Sequence, residues 1–344
     1  MDNGAHFYKT DFQIHTPRDP KWTGCEPVAP DQRLEFARKF VVTCRQLGIQ
    51  AVGITEHHDI CFIEYFQLAA QDEDLSAGVD PGKQRPIIFP GLEVTLQVPC
   101  QAIILLDADA EKATQFALIQ LLNLQHLYKE DERKCPQPRP LPFHSLQELQ
   151  NKINENSILR NRFIILPHVG NDGYKTLLRE SFQDKYKSMP CVGGYIEKDW
   201  EELASKNKNI VDGIDPMWGN KSIGVFQTSD SRREDFADLG KRNTWVKFSV
   251  PTAEALRQAC LARQSRIKQK QPTLPSVYIE KITVSDSVFL GRIELEFNPQ
   301  FNAVIGGRGT GKTSILEYIR YAMQDQPTID EPSLHDEISE KRRL

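Results

Sequence analysis

Long apolar runs, paired cysteine motifs and a dominant charge of one sign are all missing from this sequence of 344 residues. No run approaches the roughly 18 apolar residues of a membrane-spanning helix. The N-terminus has neither the basic start nor the apolar stretch of a secretion signal. The formal net charge is only −4, so a nucleic-acid surface would have to be a local patch. We therefore expect a soluble, cytoplasmic protein without a membrane partner.

Two further absences limit the kinds of catalytic site that the chain could contain. The seven cysteines are scattered, odd in number and contain no Cys-x-x-Cys pair, which is typical of reduced thiols in a cytoplasmic protein. No Gly-x-Ser-x-Gly segment is present, so the sequence offers no serine nucleophile of the hydrolase type. Hydrolysis by this chain would have to use another kind of site.

Five apolar stretches end in side chains that can bind protons or metal ions. They lie at residues 7–15, 49–59, 86–93, 163–168 and 222–230. If these stretches are parallel strands, their C-terminal ends share one rim, and residues far apart in sequence meet there. With the helical spacing between them, this pattern predicts an α/β barrel.

The rim contains six candidate metal ligands. They are His15, Asp19, His57, Glu93, His168 and Asp230. Imidazole and carboxylate groups together suit Mn²⁺, Zn²⁺ or Fe, and a carboxylate such as Glu93 can bridge two ions. Such ions activate a water molecule and stabilise the oxygens of a phosphoester during displacement. We therefore predict a divalent-metal site in which Glu93 is central.

Alternative interpretations remain open for several of these residues. His168 could be a hydrogen-bonded structural histidine, and Asp230 and Asp59 could cap turns. His58 could be the ligand in place of His57. Glu56 could face solvent, pair with an arginine or support a ligand from outside the metal shell.

The remaining pattern divides the chain into two domains. Further strands are predicted at 101–106, 210–214 and 244–249, and Ser145 and Thr252 are predicted to cap helices. Residues 171–209 have no clear pattern. We place an α/β barrel at 1–270, a polar linker at 271–276 and a second domain at 277–344, where alternation predicts antiparallel strands.

The second domain contains a phosphate-binding loop. Its residues are Gly306, Gly307, Arg308, Gly309, Thr310, Gly311, Lys312 and Thr313. The loop fits G-x-x-x-x-G-K-[ST] and lies between the apolar run 301–305 and a helical stretch from Ser314. Lys312 would contact the β- and γ-phosphates of ATP, and Thr313 would hold Mg²⁺. The alternative is a glycine-rich turn without a ligand.

Hydrolysis of that nucleotide is a separate question. The 31 residues after Thr313 contain no apolar strand ending in an acidic pair, which is the second motif that such ATPases need. We expect either a chain cut within an ATPase domain or completion of the domain by another polypeptide. Assembly of a homodimer or higher oligomer through this domain is the associated expectation.

The motifs resemble the polymerase and histidinol phosphatase (PHP) family. The resemblance lies in Asp11-Phe-Gln-Ile-His-Thr16, Thr55-Glu-His-His58, Gly91-Leu-Glu93, Pro167-His168 and Thr228-Ser-Asp230. With the later segments 241–247, 256–259 and 297–307, the whole chain looks like TrlF-type proteins, which join a PHP domain to an SMC- or ABC-like ATPase head. The resemblance implies a distorted (β/α)7 barrel that hydrolyses phosphoesters with up to three metal ions, fused to a head that dimerises around ATP. It also implies a nucleic-acid partner, with roles in DNA repair or phage defence.

Three positions depart from the family pattern. Gln13 and Gln101 stand where histidines are usual, and Arg232 stands where the last motif usually has histidine. Glutamine binds these metals weakly and arginine does not bind them. The number and type of metal ions are therefore left open, and Arg232 is a candidate catalytic residue that could contact a phosphate directly.

Three functions are compatible with these observations. The first is a metal-dependent phosphoesterase or nuclease coupled to an ATP-binding head. The second is a regulatory barrel with a degraded metal site, in which nucleotide binding is the surviving activity. The third is a nucleic-acid scaffold that uses basic residues. These are Arg257, Arg263, Arg266, Lys268, Lys270 and the segment 341–343.

Overall fold

A computed structural model describes residues 4–77, 86–98, 100–124, 129–135, 137–171 and 175–323. The chain forms two compact units, and the first is His6–Pro272. The second contains Gly4, Ala5 and residues 273–323 among those described. The division at Pro272 falls inside the predicted linker.

The first unit is a mixed α/β structure. Its strands are β1 (His6–Ile14), β2 (Ala51–Ile54), β3 (Ile87–Thr95), β4 (Gln101–Leu106), β5 (Phe163–Pro167), β6 (Gly193–Ile196), β7 (Gly224–Gln227), β8 (Thr244–Phe248) and β9 (Ile267–Lys268). Its helices are α1 (Pro30–Gln46), α2 (Ile63–Ala77), α3 (Lys112–Leu121), α4 (Leu146–Asn154), α5 (Gln183–Ser188), α6 (Ser205–Val211), α7 (Ala253–Leu261) and α8 (Arg263–Arg266). None of the helices in the described part of the chain combines the length and apolar character needed to cross a bilayer.

Seven strands form one sheet in the order β5-β4-β3-β2-β1-β8-β9, and β6 pairs with β7 separately. A parallel bridge from His168 to Tyr195 links β5 to β6, and another from Ile14 to Ser231 links β1 to the end of β7. Strands β1 to β7 therefore curl into a ring, in which β7 and β1 are joined by this isolated bridge beyond the end of β7. Strands β1, β2, β3, β5, β6 and β7 run parallel, as expected, whereas β4 is antiparallel to both neighbours.

The reversal of β4 has a direct consequence for the rim. The first residue of β4, Gln101, pairs with Thr95 at the end of β3. Gln101 therefore lies at the same edge of the ring as the C-terminal ends of the parallel strands.

Aromatic side chains fill the inside of the ring. The ring of Phe12 on β1 meets Phe89 on β3 at 5.6 Å and Phe226 on β7 at 5.3 Å between centroids. Strand β2 separates β1 from β3, so Phe12 and Phe89 can meet only because the sheet curls around them. Edge-to-face pairs of this kind add to the apolar burial of each ring.

Two glycines let a helix approach the ring. A Cβ on Gly193 of β6 would lie 2.7 Å from Sγ of Cys260, and one on Gly224 of β7 would lie 2.8 Å from Cα of Cys260. Cys260 belongs to α7, whose Ala253 and Leu256 share a buried cluster with the aromatic rings. Strands β6 and β7 therefore pack against α7 at backbone distance.

Several local predictions are confirmed and one is wrong. Ser145 accepts a hydrogen bond from the N–H of Glu148, and Thr252 accepts one from Ala255, so both cap helices as predicted. The segment predicted as a strand at 210–214 instead contains the end of α6. Its β-branched residues Ile210 and Val211 are buried as the inner face of that helix, so tertiary packing overrides their strand propensity.

The second unit contains a hairpin and a helix. Strands β10 (Lys281–Ser287) and β11 (Gly291–Glu296) are antiparallel, as the alternation predicts, and α9 spans Lys312–Ala322. The apolar run 301–305 before the phosphate-binding loop forms no strand among the described residues. No described strand pairs with this segment, and Phe301 and Ile305 are exposed.

Closure of the ring near Phe226 can be tested by mutation. Replacing Phe226 with alanine removes its contact with Phe12, and we expect the free energy of unfolding of the barrel to fall by about 3–5 kcal/mol. The control is Met217→Ala, because Met217 is 67% exposed and such changes stay within about 0.5 kcal/mol. Denaturant titration measures both, and equal stabilities would contradict the packing described.

Candidate metal centre

The ends of five parallel strands deliver the predicted ligands to one rim. His15 follows β1, His57 lies just after β2, Glu93 lies on β3, His168 follows β5 and Asp230 lies beyond β7. His57 and Glu93 are bridged across neighbouring strands. All five residues are almost completely buried except Asp230, whose side chain is 30% exposed.

His15 lies at the centre of this cluster, with carboxylates at both ring nitrogens. Its Nδ1 lies 3.1 Å from Oδ2 of Asp19 and 3.2 Å from Oε1 of Glu56. Its Nε2 lies 3.2 Å from Oε2 of Glu93 and 3.1 Å from Oδ1 of Asp230. The two sides of the imidazole therefore face two different pairs of acids.

The Nε2 side has the geometry of a metal site. Nε2 of His57 lies 3.7 Å from Oε2 of Glu93, close to the 3.2 Å between His15 and the same oxygen. Ligand atoms about 2.0–2.2 Å from a tetrahedral ion lie about 3.3–3.6 Å from one another. Within the described residues, Nε2 of His15 faces these carboxylate oxygens without forming a hydrogen bond of good geometry. A buried nitrogen without such a bond is costly, so His15, His57 and Glu93 fit a divalent ion.

The Nδ1 side has the character of a supporting shell. Oε2 of Glu56 accepts hydrogen bonds from the backbone N–H and the hydroxyl of Thr16, each at 2.8 Å. Its Oε1 accepts from the backbone N–H of His57 at 2.8 Å and faces His15 at 3.2 Å. Metal-binding histidines commonly donate their other N–H to such a carboxylate, which fixes the tautomer and the ring orientation.

Glu56 therefore corrects part of the sequence-based expectation. It is 1% exposed and contacts no solvent-facing arginine; it is held by Thr16 and the two histidines. Asp59 is also buried, and it pairs with Arg18 while accepting from the N–H of Cys61. Of the alternatives for Glu56, support from outside the metal shell is the one that agrees with its contacts.

Arg232 occupies the space between two of the predicted ligands. Its Nη1 donates to Oδ2 of Asp19, and its Nε and Nη2 donate to Oδ1 of Asp230 at 3.1 and 2.8 Å. Its Nη2 lies 3.9 Å from Oε2 of Glu93. The predicted ligand Asp19 is therefore paired with a guanidinium.

Gln13 is a second hydrogen-bond donor among the acids. Its Nε2 lies 3.2 Å from Glu93, 2.9 Å from Glu197 and 3.2 Å from Asp230. Its Oε1 accepts from the hydroxyl of Thr228 at 2.7 Å, which orients the amide. A side chain at a position where the family has a ligand thus acts here as a donor to carboxylates.

The pKa values of His15 and His57 shift in opposite directions. Burial and Arg232 lower the pKa of His15, but Glu56, Asp19 and Asp230 outweigh them and raise the pKa well above its usual value. Burial lowers the pKa of His57, and Glu93 only partly opposes this. His57 is therefore neutral at pH 7 and ready to bind metal, whereas an ion at His15 must displace a proton.

The pKa values of the buried carboxylates shift in different directions. Burial raises the pKa of Glu93, but His57, His15 and Arg232 outweigh it and hold the pKa well below its usual value. The pKa of Asp230 is lowered, since His15 and Arg232 outweigh its burial. Burial, Asp230 and Glu93 instead raise the pKa of Glu197. Glu93 is therefore an anion that can accept a metal ion.

Two histidines at the rim, His168 and His58, lie outside the group of His15, His57 and Glu93. His168 is not in either group of metal-competent side chains found among the described residues. Its ring packs edge-on against Tyr195 at 5.1 Å, and the Tyr195 hydroxyl donates to Oε1 of Glu93 at 3.4 Å. His58 is buried with a positive φ of 56°, and burial lowers its pKa to about 4. The N–H of His168 donates to the carbonyl of Gln101 at 2.9 Å.

Tyr195 and Glu197 are site residues that sequence reasoning missed. Both belong to the segment around β6, in the region judged to have no clear pattern. A signal was present, because Gly193-Gly-Tyr-Ile-Glu197 is a short apolar run that ends in a side chain able to bind a proton or a metal ion, as the other five runs do. Its length of four residues made it too short to recognise by periodicity.

The predicted phosphate-binding loop lies in the second unit and is exposed. Nζ of Lys312 donates to the carbonyl of Gly306 at 2.8 Å and to that of Gly307. Gly309 and Gly311 have φ values of 79° and 84°, which glycine adopts without strain. Gly311 directly precedes α9, so the loop ends at a helix N-terminus.

Comparisons with known proteins give one family match and several structural likenesses. Residues 281–342 match the model of an AAA domain. No curated protein matches the chain in sequence. Among solved structures, endonuclease Q bound to a 27-mer duplex with an abasic lesion has 14% identity and a TM-score of 0.49, covering 77% of this chain. The chain spans 58% of that protein's length.

Two further likenesses cover most of the chain. A lesion-specific endonuclease from Pyrococcus furiosus has 12% identity and a TM-score of 0.48, covering 98% of this chain and 90% of its own. A protein from Bifidobacterium adolescentis assigned as a metal-dependent phosphoesterase has 13% identity and a TM-score of 0.40, covering 74% and 96%. The AAA match covers the segment that the sequence resemblance assigns to an ATPase.

The supporting role of Glu56 can be measured directly. We expect Glu56→Gln to weaken divalent-metal binding by about 10- to 100-fold, because Nδ1 of His15 loses one of its two anionic partners and His57 loses the carboxylate that accepts from its backbone N–H. The control Glu64→Gln removes an exposed glutamate that pairs with Lys112. Competition with a chelating dye gives both affinities, and an unchanged affinity in Glu56→Gln would rule out this role.

Proposed function

We propose that the barrel is a divalent-metal-dependent phosphoesterase and that the second unit binds ATP. The observation that carries the first part is the convergence of Nε2 of His15, Nε2 of His57 and Oε2 of Glu93 at ligand spacing, with Nε2 of His15 buried and forming no hydrogen bond of good geometry in the described chain. The sequence resemblance to PHP-type barrels supports it. An ion held there would be Mn²⁺, Zn²⁺ or Fe, which suit imidazole and carboxylate ligands.

A bound divalent ion supplies a polarised water molecule and neutralises charge on a phosphoryl oxygen. The protein supplies the surroundings. His15, His57 and Glu93 hold the ion, and Glu56 orients His15. Arg232 has N–H groups beyond those bonded to Asp19 and Asp230, and these suit the oxygens of a phosphoester. Further ligation by Asp19, Asp230 or His168 is part of the family resemblance rather than of this geometry.

ATP binding is proposed for residues 306–313. The match to an AAA domain over residues 281–342 and the position of Lys312 at the start of α9 support it. In this proposal Lys312 moves from the loop carbonyls to the phosphates, and Thr313 binds Mg²⁺. Assembly of a homodimer or higher oligomer through this unit, or its completion by a second polypeptide, belongs to the same proposal.

Nucleic acid is the proposed substrate class, although the predicted basic patch supports it little. Arg257 pairs with Glu254, Arg263 with Asp212 and Lys270 with Glu201. These partners neutralise much of the positive charge that a phosphate backbone would need. The segment 341–343 lies outside the described residues. A role in DNA repair or phage defence, and the coupling of the barrel to ATP, remain proposals from the family resemblance.

A second function is favoured by one observation. Arg232 and Gln13 already satisfy the carboxylates that a metal cluster would use. A barrel neutralised in this way could serve as a regulatory module without bound metal, with nucleotide binding as its activity. Absence of bound metal in the purified protein would select this alternative.

The proposed hydrolysis can be tested with a chromogenic phosphodiester and with single-stranded DNA. We expect turnover with Mn²⁺, its loss with chelator, and in His57→Ala a loss greater than the roughly 10- to 100-fold effect typical of outer-shell changes. His144→Ala is the matched control, because His144 is exposed and belongs to neither metal-competent group among the described residues. Turnover that resists chelator, or that survives in His57→Ala, would refute a metal-dependent barrel.

Nucleotide binding can be tested with a fluorescent ATP analogue. Lys312→Ala removes a charged donor to phosphate, which costs about 1.5–3 kcal/mol and so weakens binding by about 10- to 150-fold. Lys281→Ala is the control, because Lys281 lies on the hairpin and pairs with Glu294. Equal affinities in the two variants would place the nucleotide elsewhere.

A further inference from the structure

The cluster around His15 contains a cation that belongs to the protein itself. Arg232 follows β7, whereas its partner Asp19 follows β1, so the guanidinium links the two sides of one junction in the ring. The side chain of Arg232 is 15% exposed, and that of Asp19 is fully buried. The guanidinium therefore lies among the acids rather than in solvent.

We propose that Arg232 is a resident cation that takes the place of one divalent ion, so that the barrel binds a single ion at His15, His57 and Glu93. This inference rests on the proposed function, because it fixes the number of ions that the phosphoesterase site uses. The supporting observation is that the carboxylates around Arg232 already accept hydrogen bonds from it.

The oxygens next to Arg232 are already occupied by donors. Oδ1 of Asp230 accepts from Nε and Nη2 of Arg232 and from Nε2 of Gln13. Oδ2 of Asp19 accepts from Arg232, and its Oδ1 accepts from the backbone N–H of Lys21 at 2.6 Å. An oxygen with two or three N–H donors has little capacity left for a metal ion. A second ion bound by Oδ2 of Asp19 and Oδ1 of Asp230 would have to displace the guanidinium.

The atoms on the other side of the cluster are differently placed. Nε2 of His15 forms no hydrogen bond of good geometry in the described part of the chain, and the side chains of His15 and His57 are 1% and 7% exposed. Nε2 of each imidazole faces Oε2 of Glu93, at 3.2 Å from His15 and 3.7 Å from His57. The imidazole nitrogens that can bind an ion and the oxygens that accept from Arg232 therefore lie on different sides of the same cluster.

Charge gives a second reason for a single ion. A divalent cation at the Asp19–Asp230 position would lie within contact distance of the guanidinium, and the two positive charges would repel each other strongly in this buried site. Guanidinium does not lose its proton in proteins, so the repulsion cannot be relieved by deprotonation. Arginine at 232 thus excludes the ion that a histidine at this position would help to bind.

The test uses the full-length chain, stripped with chelator and reloaded with Mn²⁺ without nucleotide, because Mg²⁺-type ions bind a phosphate loop together with the phosphates. We expect about one ion per chain in the wild type and about two in Arg232→His, because imidazole restores a ligand and frees Asp19 and Asp230. Arg233→His is the matched control, since Arg233 is half-exposed and pairs only with Asp235. It should stay at about one ion.

Metal analysis and the electron paramagnetic resonance spectrum of Mn²⁺ give independent readouts. An isolated-ion spectrum in the wild type and a spin-coupled spectrum in Arg232→His support the inference. Two or more ions in the wild type, or an unchanged count in folded Arg232→His, overturn it and leave metal-dependent hydrolysis intact. Absence of any ion in the wild type overturns both proposals. If Arg232→His does not fold, the wild-type count and spectrum still decide between one ion and several.

Discussion

The imidazole of His15, held between two pairs of buried carboxylates, is the interaction on which the rim depends. Four acids reach it from segments after β1, β2 and β7 and from β3 itself. So many negative charges in a buried site would repel one another strongly unless cations or N–H donors balance them. The neighbouring side chains contribute to that balance: Glu56 orients the ring, the amide nitrogen of Gln13 lies within hydrogen-bond distance of three acids, and Arg232 supplies a permanent charge.

This balance distinguishes the chain from a barrel that relies on metal alone. A site built from histidines and acids holds together when ions bind it, because the ligands otherwise repel or remain without partners. Here glutamine and arginine stabilise one half of the cluster from within the protein. In the other half, Nε2 of His15 forms no hydrogen bond of good geometry among the described residues, which is where an exogenous ion is still needed.

Much of the site was predictable because it follows from strand ends. His15, His57, Glu93 and Asp230 come directly after or within apolar runs, and parallel strands bring such positions together whatever their distance in sequence. The caps Ser145 and Thr252 were predictable for a similar reason, since each acts on its own helix. Local patterns were enough in these cases.

The rest depended on pairing between distant segments. The contact of Arg232 with Asp19 joins residues 213 positions apart and requires the ring to close between β1 and β7. Strand β6, which carries Tyr195 and leads to Glu197, is only four residues long and is recognisable mainly from its neighbours. The strand expected at 210–214 failed for the opposite reason, because helical packing buried the same apolar residues. Neither outcome is encoded in a short window of sequence.

Arg232 lies at the junction between β1 and β7, where its pairing with Asp19 links the segments that follow the two strands. The backbone closes the ring there mainly through the N–H of His15, which donates to Ser231 at 3.0 Å, and that of Thr23, which donates to Arg232 at 3.0 Å. A diffusible ion at this junction would dissociate when metal became scarce, and the contact between the segments after β1 and β7 would then weaken. A guanidinium anchored to the chain cannot dissociate. With Arg232 as the resident cation that we propose, removal of the ion at His15, His57 and Glu93 leaves the positive charge at this junction in place.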